Sequence, residues 1–131
     1  MTDYDVYKEI RFLRDRVQAI DHKQEVLIRA QRSAIETEVL SAMRADPKLA
    51  RVYLNVDGKR TQKEIVDVLG ANGKAMSQPT VSRRMDVLSG ELAVIELVDR
   101  TRLGDVYAKS AVDRILRLTP KVERLLREVG P

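Results

Sequence analysis

Ser77-Gln78-Pro79-Thr80-Val81-Ser82-Arg83-Arg84-Met85-Asp86-Val87-Leu88 reads as one short helix with a start signal, an apolar stripe and a polar edge. Ser77 suits an N-cap, and Pro79 fits the first turn, where amides have no intrahelical partner. Val81, Met85 and Leu88 recur at steps of four and three, so they share one face. Ser89-Gly90 ends the run. With that stripe inward, Pro79, Ser82, Arg83 and Asp86 turn outward, and Gln78, Thr80 and Arg84 lie on the flanks.

Working outward, Thr61-Gln62-Lys63-Glu64 is a capping-box pattern that opens a second short helix. Ile65, Val68 and Leu69 are its stripe and Gly70 its stop, with a loop from Ala71 to Ala75 before the next helix. On the other side the period changes to that of strands. Val94 to Asp99 and Val106-Tyr107-Ala108 flank a turn-like Thr101–Asp105 segment containing Gly104, which predicts a β-hairpin. Ser110 to Leu118 and Thr119 to Val129 read as two further helices, the second opened by Thr119-Pro120 and striped by Val122, Leu125, Leu126 and Val129. Asp46-Pro47 ends whatever helix precedes it, Leu49 to Val56 fits either a short helix or a strand, and Asp57-Gly58 marks a turn.

From Tyr4 to Met43 there is neither proline nor glycine, and Val6, Ile10, Leu13, Val17, Ile20, Gln24, Leu27, Gln31 and Ala34 form a heptad seam. A helix of that length is roughly 60 Å long and exceeds what so small a domain can cover, so pairing with a second copy is expected. Gln24 and Gln31 would weaken such a coil while fixing its register. Near Ile28 the apolar face passes to Ile28, Ile35, Val39 and Ala42/Met43, as if the helix enters a globular core. The alternative is a helix folded back on its own domain. The organisation expected is residues 1–45 as the long, coiled-coil-like dimerisation helix and 46–109 as a helical domain with a hairpin. Residues 110–131 then form helices packed on that domain or on the dimer interface. The fold class is mainly α with one small β-hairpin.

The 131 residues are 44% apolar and 34% charged, the composition of a folded globular chain. Cysteine is absent, and His22 is the sole histidine, set among Asp21, Lys23 and Gln24. Disulfides and thiolate metal sites are therefore excluded, and neither a metal nor a cofactor is expected. No phosphate-cradling glycine loop or nucleophile elbow occurs, so an enzyme is not expected either. No apolar run nears the length of a membrane span, and the acidic start, Asp3-Tyr4-Asp5, is unlike a leader; a cytoplasmic, nucleoid-associated location is expected. The net charge of +4 is unevenly spread: residues 1–58 hold ten basic and ten acidic side chains, residues 59–131 fourteen and ten. Aromatic residues, at 4%, are too few for single-strand readers that stack bases.

Ser77-Gln78-Pro79-Thr80-Val81-Ser82-Arg83, preceded by a helix ending in Leu69-Gly70, resembles the recognition helix of winged helix-turn-helix regulators, especially those of ArsR and MarR type. The resemblance covers roughly residues 35–110. It implies a winged helix-turn-helix acting on double-stranded DNA as a homodimer, with two recognition helices in major-groove half-sites roughly 34–36 Å, or a multiple, apart. Beside it, the residues themselves offer fitting chemistry. Gln78 suits adenine and Arg83 guanine, Ser77, Thr80 and Ser82 are short donors for phosphates or base edges, and Arg84 flanks them. Arg100 and Arg102 beside the Gly104 turn would let a wing reach DNA, and Lys59, Arg60 and Lys63 would anchor phosphates. A transcriptional regulator, a repressor more than an activator, is the expected function. The alternatives are an assembly module using the same fold and coil, and an architectural protein without sequence preference. Two features depart from the family: the Ala71–Ala75 loop exceeds the usual three- or four-residue turn, and the cysteine and histidine sites of metal sensors have no counterpart.

Overall fold

The computed structural model describes residues 3–129. The side chains of Asp3, Tyr4, Val17 and Ile20 lie outside that description, so two positions of the expected seam, Val17 and Ile20, lie outside it as well. In chain order the elements are α1 (Asp3–Ala30), α2 (Arg32–Ala45), α3 (Pro47–Leu54), α4 (Gln62–Ala71), α5 (Gln78–Ser89), β1 (Ile95–Thr101), β2 (Gly104–Lys109), α6 (Ala111–Leu116) and α7 (Leu118–Val129). Among the described residues the protein is mainly helical with one two-stranded antiparallel sheet.

The uninterrupted helix expected over Tyr4–Met43 is two helices. Gln31 leaves the helical region at φ −102°, ψ 15°, and its amide is shared between the carbonyls of Leu27 (3.1 Å) and Ile28 (3.2 Å). No proline or glycine causes this. The break lets two faces be served at once: α1 meets α6, whereas α2 packs on α3 and α7. The shift of the apolar face is as read, with Val39 and Met43 buried and Ile28, Ile35 and Ala42 packed against the core. Asp46, at φ −136°, separates α2 from α3 as a residue before proline must. The ambiguous Leu49–Val56 segment is helical through Leu54, with Leu49, Ala50, Val52, Tyr53 and Val56 all buried.

Both local start signals operate. Thr61 Oγ1 accepts from the Glu64 amide (3.3 Å) while Glu64 Oε1 accepts from the Thr61 amide (3.1 Å). Ser77 Oγ accepts from the Thr80 amide, with Pro79 in the first turn of α5. Val81, Met85 and Leu88 are buried together with Ile65 and Leu69 of α4. At the end of α5, any Cβ on Gly90 would stand 2.9 Å from the Asp86 carbonyl oxygen, so only glycine closes this helix without displacement.

The hairpin pairs Ile95 with Lys109 at its base and Thr101 with Gly104 at its tip, around the two-residue turn Arg102-Leu103. Its register slips between Leu97 and Asp99, a bulge at Val98. Thr61 adds an isolated antiparallel bridge to Val106, so the N-cap of α4 is stitched to β2.

Beneath these elements lies a polar cluster. Tyr53, wholly buried, donates its hydroxyl to Asp113, which also accepts from Thr119 Oγ1 at 2.6 Å. Lys109 Nζ donates to the Val56 carbonyl at 2.7 Å and sits 5.3 Å from the centre of the Tyr53 ring. Burial, reinforced by the Asp113 carboxylate, pushes the Tyr53 hydroxyl far above the usual phenol range. Burial lowers the Lys109 ammonium, against the pull of Asp113, Asp57 and Glu123. No helix among the described residues is long and apolar enough to cross a membrane.

Candidate nucleic-acid interface

Two consecutive residues, Thr61 and Gln62, join three stretches of chain that are far apart in sequence. Gln62 Nε2 donates to the Gln78 carbonyl (3.5 Å), bringing the start of α4 to the start of α5. Thr61 bridges Val106, and its Cβ lies 3.8 Å from where a Gly104 Cβ would stand, bringing the same helix start to the hairpin tip. Residues 59–63, 77–83 and 100–104 thus converge. Each contributes basic or short polar side chains. The starts of α4 and α5 meet there through the Gln62–Gln78 contact, and with them the positive ends of two helix dipoles.

Within this region the side chains differ in availability. Arg83 is exposed and makes no side-chain hydrogen bond or ion pair among the described residues. Gln78 and Lys63 are exposed too, and Arg100 and Arg102 are exposed on the hairpin. Ser77 Oγ and Thr80 Oγ1 hydrogen-bond each other at 2.7 Å, and Ser82 is half-buried. The Ser77 and Thr80 hydroxyls are therefore tied to the start of α5.

Arg84 points elsewhere. Its Nε donates to Asp46 Oδ2 at 3.1 Å and its Nη2 to Oδ1 at 3.4 Å, a two-pronged pair that fastens α5 to the α2–α3 junction. Arg60 also has a local partner: its Nε lies 3.7 Å from Asp57 Oδ2, and the amides of Lys59 and Arg60 both donate to Asp57 Oδ1. Burial works to raise the Asp57 carboxyl, but those amides and the Arg60 guanidinium outweigh it and hold it below the ordinary value.

Sequence reasoning passed over two features here. Leu103, at the tip between Arg102 and Gly104, is 79% exposed, and its amide is braced by Thr101 Oγ1 at 3.2 Å while that hydroxyl donates to the Gly104 carbonyl at 2.8 Å. An exposed leucine in a predicted turn carries no periodicity, so nothing in the chain alone marks it. Gln62 is likewise an ordinary polar residue until its contact with the start of α5 is seen. Among the described residues no cluster of three or more His, Cys, Asp or Glu side chains could hold a metal ion. Comparison with protein families, curated proteins and solved structures finds no match for this chain.

Proposed function

We propose that the protein is a sequence-specific, double-stranded DNA-binding transcriptional regulator of the winged helix-turn-helix type, acting as a homodimer and as a repressor by occupying its site. The observation that carries this is the convergence of the α4 start, the α5 start and the hairpin tip through Thr61 and Gln62. In this reading α5 enters the major groove with Gln78 and Arg83 at base edges. Ser77, Thr80 and Ser82 lie close to the backbone, and Lys63 and Arg60 reach phosphates beside it. The hairpin is the wing, and Arg100 and Arg102 follow the flanking backbone or minor groove. Arg84 holds the recognition helix in place and does not read DNA. Asp86, exposed one turn beyond Arg83, confines close contact to the first two turns of α5.

Homodimerisation rests on α1, about 42 Å long at 1.5 Å per residue. Val6, Ile10, Leu13 and Leu27 of its seam are 41%, 53%, 60% and 61% exposed in the single chain. Pairing with a second copy would cover them.

The deciding experiment selects from a pool of random duplexes with the wild-type protein and titrates the winners against wild type and Arg83→Ala at matched salt. An enriched motif, bound about 5- to 150-fold more weakly by the variant, is expected. Unaltered binding by Arg83→Ala removes α5 from the role assigned to it. A shallow motif together with a steep salt dependence and no loss in Gln78→Ala would instead identify an architectural binder. The assembly-module reading draws on one observation, the exposed Leu97, Val98 and Leu103 of the hairpin. It is favoured if no duplex is retained at low salt.

A further inference from the structure

At the end of α4 opposite Thr61, a groove of about 500 Å³ is lined by Arg51, Leu54 and Asn55 of the α3 end, Leu69 and Asn72 of the α4 end, Lys74, and Leu126 and Arg127 of α7. We propose that this groove is an effector site for a small alkyl carboxylate. Occupancy would alter how α5 is held, and that second half rests on the DNA-binding reading above.

Three properties of the lining define the ligand. The floor is made of leucines: Leu69 is 3% exposed, and Leu54 and Leu126 are partly buried against the core. It offers apolar surface and no aromatic ring to stack on, which suits an alkyl body. The rim carries Arg51, Lys74 and Arg127, no acidic side chain lines the groove, and none of the three is ion-paired among the described residues. Elsewhere on α7 a cation is matched, Lys121 with Glu36 of α2. The C-terminal ends of α3, α4 and α7 lie here, and each contributes only about half a negative charge. Three full positive charges against about one and a half leave the groove anion-seeking. Its volume falls in the range of small-molecule sites.

The groove also borders the joint between α4 and α5. The Lys74 amide donates to the Leu69 carbonyl (2.9 Å) and the Gly73 amide to that of Gly70 (3.2 Å), with Gly73 at φ +74°. A carboxylate drawing Lys74 toward Arg51 would pull on the turn that sets the position of Ser77 and everything after it. An effector acts only by binding one position of α5 better than another, and a coupling of about 5- to 150-fold is the ordinary range.

Calorimetric titration of the full chain with hexanoate, octanoate and decanoate tests the site without DNA. One saturable site is expected, tightening by up to about fourfold per added CH₂, with octanamide bound at least about tenfold more weakly than octanoate. Arg51→Met and Lys74→Met keep the apolar stems and remove the charges; each should weaken octanoate about tenfold with an unchanged melting temperature. Equal binding of the amide, no dependence on chain length, undiminished binding by both variants, or no saturation by about 1 mM overturns the site. The effector role is read by repeating the duplex titration with saturating octanoate. A shift of at least about fivefold supports it, and an unchanged affinity overturns it. Absence of duplex binding with and without octanoate overturns the DNA reading and leaves the groove standing on its own titration.

Discussion

Arg83 and Arg84 are adjacent in the chain, yet one faces solvent and the other is fastened to Asp46 across 38 positions of sequence. Their alanine variants should therefore separate cleanly. Arg84→Ala removes a partly exposed, two-pronged pair and should lower unfolding free energy by about 0.5–1 kcal/mol in urea melts. Arg83→Ala should change stability by less than about 0.5 kcal/mol, while costing about 1–3 kcal/mol of duplex binding. The reverse assignment would mean that the Asp46 pair does not hold α5. The buried tyrosine gives a second test. Tyr53 donates to a carboxylate, so Tyr53→Phe should cost roughly 1.5–3 kcal/mol at neutral pH. Its raised pKa makes the stabilisation complete below the unfolded phenol value of 10.0 and progressively lost as pH climbs past it. Lys109, whose pKa is lowered, acts in the opposite sense, because the folded state sheds that proton first and gains stability as pH rises toward 10.5. Taking the difference between wild type and Tyr53→Phe cancels most of the lysine contribution. That difference should shrink in urea melts repeated from about pH 8 to about pH 11, and a constant gap would contradict the buried-phenol assignment.

The junction between α6 and α7 turns on Arg117, which adopts the left-handed conformation at φ 54°, ψ 53° as the C-cap of α6. An L side chain pays about 1–2 kcal/mol there, and glycine would not, although it has more freedom to lose on folding. Arg117→Gly should raise stability by roughly 0.5–1 kcal/mol, seen as a melting temperature a few degrees higher. A lower melting temperature would show that the arginine side chain contributes packing that outweighs the backbone strain. This turn also marks what a chain reveals of its elements. The starts of α4 and α5 were legible because a cap, a proline or a capping box acts within four residues, as Thr61 and Ser77 do. The stripes Ile65–Leu69 and Val81–Leu88 were legible because burial follows period. The helical state of Leu49–Leu54 was not, since eight residues satisfy both periods and only packing decides. The break at Gln31 was equally hidden, because it answers to α6, α3 and α7 and to nothing in its own neighbours. The candidate interface divides in the same way: Gln78, Thr80, Ser82 and Arg83 could be picked out from a helix face. The Thr61–Val106, Gln62–Gln78 and Arg84–Asp46 contacts, which decide what that face can do, are long-range.

At the scale of the whole molecule, the proposed function needs two reading helices held at a fixed spacing, and α1 is the element that can hold them. Leu13 and Leu27 are 60% and 61% exposed, so neither contributes to the folded core of a single chain. Lysine at both positions should leave the circular dichroism spectrum and the melting temperature of the helical domain nearly unchanged. In a dimer the same substitutions act on four side chains at once. Covering a leucine is worth about 1.5–3 kcal/mol, so even half-covered sites total about 3–6 kcal/mol and should weaken association by at least about a hundredfold. Sedimentation equilibrium should then show wild type as a dimer and Leu13→Lys/Leu27→Lys as a monomer at micromolar concentration. Duplex binding should follow the assembly. A duplex with two half-sites should lose affinity steeply in the double variant, because the second recognition helix is no longer delivered by the first. A duplex with one half-site should bind both proteins alike. A dimer that persists through both substitutions would place the interface away from α1, with the exposed face of α7 the next to be tested. A monomeric wild type that still reads a two-part site would remove the two-fold arrangement while leaving the role of Arg83 intact.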